Sequence, residues 1–85
     1  MLVTVKTNFA GQQELELAMP TLKGVLVELS KKSSVSFFSG ESDEVRSDFK
    51  VYLNETDYEE LPDGINTEVK KEDQLEVNVV IIAGG

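Results

Sequence analysis

Three features of this 85-residue chain predict an α+β domain in which one main helix covers one face of a mixed sheet of about four to five strands. Near both ends, short β-rich runs alternate in period two: Val3, Val5, Thr7 at the start, and Leu75, Val77, Val79, Ile81 at the end. Between them lies one run of helical period, Leu22, Val25, Leu26 and Leu29. With 40% hydrophobic and 28% charged residues, the chain has the composition of one small globular core.

The elements follow in order. A strand over Leu2–Thr7 is broken by Asn8-Phe9-Ala10-Gly11-Gln12-Gln13, and a second strand runs over Glu14–Met19 with Leu15, Leu17 and Met19 on its inner face. Thr21, after Pro20, is the expected N-cap of the helix, and Lys31 and Lys32 suit its C-terminal end. Gly24 within the helix costs about 1 kcal/mol relative to Ala. Residues 33–48 are polar and Ser-rich, and a connection of that length usually has structure of its own. Phe37 and Phe38 are expected to tuck beneath it, and Ser42–Ser47 to form a helical turn. A third strand covers Phe49–Leu53, Asn54–Asp57 is a turn, and a short strand is placed near Tyr58–Leu61. Pro62-Asp63-Gly64 turns the chain, Ile65 and Val69 pack inward, Lys70–Gln74 turns again, and the last strand runs from Leu75 to Ile81.

Much chemistry is excluded by what is missing. Without Cys or His, the chain can supply no disulfide, cysteine nucleophile, histidine base or Cys/His zinc site. Adjacent acids such as Glu59-Glu60 and Glu72-Asp73 read as solvated loop charges, and no calcium-loop spacing accompanies them, so no metal site is expected. Residues 1–40 carry a net +1 and residues 41–85 a net −9. Such an acidic chain is not expected to bind nucleic acid or an anionic membrane. Its acidic half reads either as simple solubility or as steering of a basic partner. No apolar stretch reaches the ~20 residues of a membrane span, and no signal-peptide pattern opens the chain, so a cytoplasmic location is expected.

The distinctive segment is Ile82-Ala83-Gly84-Gly85. Two residues without side chains can thread a narrow channel, and four extended residues reach about 13 Å. They would deliver the Gly85 α-carboxylate to another protein's active site. That carboxylate is ionised near neutral pH and is a poor electrophile until it is converted to an acyl-adenylate. The expected organisation is therefore a domain over residues 1–81 and a flexible tail over 82–85. Upstream, the outward positions of the last strand change from Glu76 and Asn78 to Val80 and Ile82. Either this is a partner-contact patch, giving Val80, Ile82, Ala83, Gly84 and Gly85 as the candidate binding residues, or the strand is central and covered on both faces.

Hairpin, crossing helix and further strands is the element order of the β-grasp, or ubiquitin-like, fold. Pro20-Thr21-Leu22 at the helix start, Val51-Tyr52-Leu53-Asn54, the run from Leu61 to Asp73, and Ala83-Gly84-Gly85 together resemble the MoaD/ThiS sulfur-carrier family, especially the small subunit of molybdopterin synthase. Glu72-Asp73 stands where that family usually has Gly-Asp. The resemblance implies a carrier that is not an enzyme on its own and binds no cofactor. Gly85 would be adenylated by an E1-like enzyme using ATP, converted to a thiocarboxylate, and presented to the large subunit of molybdopterin synthase or another sulfur acceptor. Thiamine or another sulfur product, a ubiquitin-like modifier, and an acidic protein-interaction domain are the alternatives.

Overall fold

The computed structural model describes residues 1–39 and 44–80. Within them lie β1 (Leu2–Thr7), β2 (Gln12–Glu16), α1 (Leu22–Ser33), β3 (Phe49–Leu53), β4 (Thr56–Asp57) and β5 (Leu75–Val79), with 3-10 turns at Tyr58–Glu60 and Gly64–Asn66. The five strands form one sheet in the order β2-β1-β5-β3-β4. β1 and β5 pair in parallel at its centre, with Val5 opposite Leu75 and Thr7 opposite Val77. The other neighbours are antiparallel. This is the expected α+β, β-grasp architecture, a mixed sheet with one main helix on one face.

Period-two alternation makes each strand two-sided. Val3, Val5, Leu15, Val51, Leu53, Leu75 and Val77 are buried, whereas Thr4, Lys6, Glu14, Glu16 and Glu76 are exposed. The helix lays Leu22, Val25, Leu26 and Leu29 on the inner face of the sheet, each fully buried. Burying such a side chain contributes roughly 1.5–3 kcal/mol. Among the described residues no polar side chain is buried, so this core has no polar network of its own to satisfy.

Local chemistry sets the helix ends. Thr21 is extended, and its Oγ1 accepts from the Gly24 N–H at 3.1 Å. Ser34 closes the other end in the left-handed region at φ 58°, donating its N–H to the Ser30 carbonyl. Gly24 has a reason beyond propensity: a Cβ there would run into the Met19 carbonyl, so the β2–α1 connection packs against bare helix backbone. Near the last turn, the Lys32 ammonium donates to the Glu14 carbonyl at 2.7 Å.

Several expectations are corrected. The second strand spans Gln12–Glu16, not Glu14–Met19, and Met19 is 55% exposed. Met1 and Leu17 exchange hydrogen bonds at the end of this ladder, and Met19 turns instead to the helix start, where its carbonyl accepts from the Thr21 N–H. At its other end the strand begins sooner because Gly11, at φ 68°, closes a short loop back to Thr7. The short strand lies at Thr56–Asp57, and Tyr58–Glu60 is a 3-10 turn. Asn54 and Glu55 both take positive φ, which makes a two-residue hairpin, and Asp57 then caps the turn by accepting from the Glu59 N–H. Ser42 and Asp43 of the expected Ser42–Ser47 turn lie outside the described residues, while Val45 forms an antiparallel bridge with Phe38 in place of helix. Phe37 is fully buried and Phe38 half-buried, as expected. β5 is assigned to Val79, and Ile81, with which the expected strand ended, lies outside the described residues.

Candidate functional site

The site begins where β5 ends. β5 is bonded on one side to β1 and on the other to β3, where Val77 faces Val51 and Val79 faces Phe49. Beyond Thr7, the last β1 residue in that ladder, the Asn8 side chain takes over. Its Oδ1 accepts from the Val79 N–H at 2.8 Å, and its Nδ2 donates to the Val79 carbonyl at 2.9 Å. A carboxamide carries the same donor and acceptor as a peptide unit, so Asn8 stands in for one more strand residue. On the opposite side the Val80 N–H donates to the Asp48 carbonyl at 2.7 Å.

Both supports are themselves held. Thr7 closes the Asn8 loop through its N–H and Oγ1, both donating to the Gly11 carbonyl, while Oγ1 also accepts from the Ala10 N–H. Phe9 packs beside Phe37 and Phe49, whose ring centroids are 4.7 Å apart with the planes at 67°. Across the strand, Arg46 pairs with the Asp48 carboxylate at 3.0 Å and lies over the Phe49 ring.

Of the sequence-predicted site residues, Val80 is 38% exposed at the sheet's outer face. Ile82, Ala83, Gly84 and Gly85 lie outside the described residues. β5 is central, but among the described residues its outer face is not covered by a second layer: Glu76 is exposed and Asn78 half-buried. Cross-strand neighbours on that face are Tyr52 opposite Glu76 and Lys50 opposite Asn78.

The acidic pairs show no catalytic geometry. Glu59, Glu60 and Glu72 are exposed, and Asp73 is spent on structure, accepting from the Lys70 N–H and the Asn54 Nδ2. Burial raises the Tyr58 phenol above its usual range, with Glu59, Asp57 and Glu44 adding to the shift. Among the described residues no cluster of Asp and Glu could hold a metal ion, and no helix is long and apolar enough to cross a membrane. Asn8 and Asp48 are the residues that sequence reasoning missed. The available signal was a side-chain amide immediately after a strand that its partner outruns.

The fold is that of the β-grasp class, and solved structures share it across nearly the whole chain. Mycobacterium tuberculosis CysO, described as an antigen, superposes with a TM-score of 0.70 at 20% identity, covering 93% of this chain and 99% of that one. The Amycolatopsis orientalis BexX/CysO complex gives 0.69 at 20% identity, covering 96% and 99%. No protein-family profile matches the chain, and no curated protein does.

Proposed function

We propose that the protein is a sulfur carrier whose reacting group is the Gly85 carboxylate, and that it acts as a substrate for other enzymes and not as a catalyst. The observation that carries this reading is the place of β5 in the fold: the central strand, fixed as far as Val80, is followed in sequence by Ile81-Ile82-Ala83-Gly84-Gly85. The fold shared with CysO supports the carrier role. A solved complex between CysO and BexX supports a function exercised through partner proteins.

The chemistry needs nothing from this chain beyond its terminus. The carboxylate oxygen attacks the α-phosphorus of ATP on an E1-like enzyme, forming the acyl-adenylate and releasing pyrophosphate. A sulfur nucleophile then adds to the acyl carbon and AMP departs with the original oxygen. No electrons change hands when hydrosulfide is the nucleophile. The finer proposal is molybdopterin (or tungstopterin) biosynthesis, with the large synthase subunit as acceptor. It rests on the motif resemblance at Pro20-Thr21-Leu22, Val51–Asn54 and Ala83–Gly85. Val80, Ile82, Ala83 and Gly84 are assigned to the partner's channel and its mouth.

The test is a mass measurement. Incubated with ATP, sulfide and an E1-like adenylating enzyme, the chain should gain about 16 Da as sulfur replaces oxygen. Deleting Gly84-Gly85 should abolish the gain while leaving the thermal transition unchanged. No gain with any such enzyme, or a gain that survives the deletion, defeats the reading.

A further inference from the structure

The geometry points to Asn8 as a positioning residue: its carboxamide, together with the Asp48 carbonyl, fixes the backbone at Val79 and Val80, just before the five residues that follow in the sequence. The inference rests on the carrier reading above and assigns a role within it to a loop 71 residues away from the strand it holds.

Three hydrogen bonds carry it. Val79 is bonded at both its N–H and its carbonyl by one side chain, at 2.8 and 2.9 Å, and Val80 is bonded at its N–H from the other side at 2.7 Å. Parallel pairing of β5 with β1 reaches only Val77, opposite Thr7, so without Asn8 that side of the strand is unsupported for its last two residues. The Asn8 loop is preset by the Thr7–Gly11 closure on one side and by Phe9 against Phe37 and Phe49 on the other. Asp48 is preset by Arg46.

The consequence falls on binding. Five extended residues reach at most about 17 Å. A partner that must receive the Gly85 carboxylate in one geometry gains from every residue already ordered before docking, because each backbone residue ordered on binding weakens association by roughly a factor of ten. Fixing Val79 and Val80 in advance removes that penalty for two residues. Asn8 therefore acts on the affinity for the activating enzyme and leaves the chemical step alone.

The test uses the full chain with ATP, sulfide and the adenylating enzyme, together with amide hydrogen exchange. Asn8→Ala should raise exchange at the Val79 N–H about tenfold or more, since that group loses its partner. It should raise KM for the carrier by about tenfold with kcat unchanged. Asn8→Asp keeps an oxygen for the Val79 N–H but turns an acceptor toward the Val79 carbonyl. KM should rise again, with a smaller change in exchange. Ile65→Val, a buried change in the Gly64–Asn66 turn, is the control: it should lower Tm and move neither KM nor Val79 exchange. Unchanged Val79 exchange in Asn8→Ala overturns the clamp. Faster exchange with an unchanged KM overturns the positioning role. If the wild-type chain forms no thiocarboxylate, the carrier reading fails and the positioning role with it, and the exchange data then judge the clamp alone.

Discussion

β5 is gripped at both ends by an asparagine side chain, and the two grips do different jobs. At its entry, Asn54 donates its backbone N–H to the Gln74 carbonyl at 2.8 Å and accepts the Gln74 N–H on Oδ1 at 2.9 Å. Its Nδ2 also reaches the Asp73 carboxylate, which closes the turn begun at Lys70. Three segments are thereby knotted together where the chain doubles back. At its exit, Asn8 holds only Val79. The entry grip sets register for the whole strand. The exit grip governs Val79 alone. One side-chain chemistry serves global stability in one place and local order in the other.

Substitution should expose that difference. The largest effect is expected from Asn54→Ala, which removes two side-chain bonds and places Ala at φ 52°. A loss of about 2 kcal/mol in urea unfolding follows from the bonds and the left-handed backbone together. Asn8→Ala, by contrast, should show mainly in exchange at Val79, as set out above. A stability loss from Asn8→Ala as large as that from Asn54→Ala would erase the distinction.

Smaller changes sharpen the picture of the entry. Glu55 has φ 71° in the hairpin beside Asn54, a conformation that suits glycine. Glu55→Gly should therefore raise stability, by about 0.5 kcal/mol after the added freedom of the unfolded chain is counted. Smallest is a pH effect on Tyr58, which follows β4. Its phenol is raised above the usual value near 10, first by burial and then by Glu59, Asp57 and Glu44. A raised folded-state value means that folding favours the protonated form. The associated stability is whole below the unfolded value and is lost as pH climbs through the folded one. Tm should accordingly fall more steeply above pH 10 in the wild type than in Tyr58→Phe.

The fold was legible in the sequence because its core is written in periods. Leu22, Val25, Leu26 and Leu29 admit one face of one helix, and Val51, Leu53, Leu75 and Val77 admit one face of two strands. Boundaries were less legible, because they depend on where a partner strand stops. Nothing in Glu14–Met19 reveals that its pairing with β1 closes at Leu17, opposite Met1. The Gly84-Gly85 motif named the candidate reacting end, which lies outside the described residues, and Val80, read as an outward position, is exposed. The grips were invisible, since Asn8 and Asn54 look like ordinary turn residues until the fold brings Val79 and Gln74 to them. Gly24 was misjudged for a related reason: its value lies in the Met19 backbone above it, which helix propensity does not see.

The lysine contact near the end of α1 bears on how this protein survives at high concentration. Gln13, Leu15 and Leu17 turn their main-chain groups toward β1, so those of Gln12, Glu14 and Glu16 face outward along a bare margin of the sheet. Such a margin is a template on which further molecules can stack into fibrils. Lys32 plugs it at the Glu14 carbonyl, and the carboxylates of Glu14 and Glu16 would meet their own kind in any self-stacked copy. A newcomer must evict an ammonium and tolerate like charges before its first rung forms, which keeps the molecules apart.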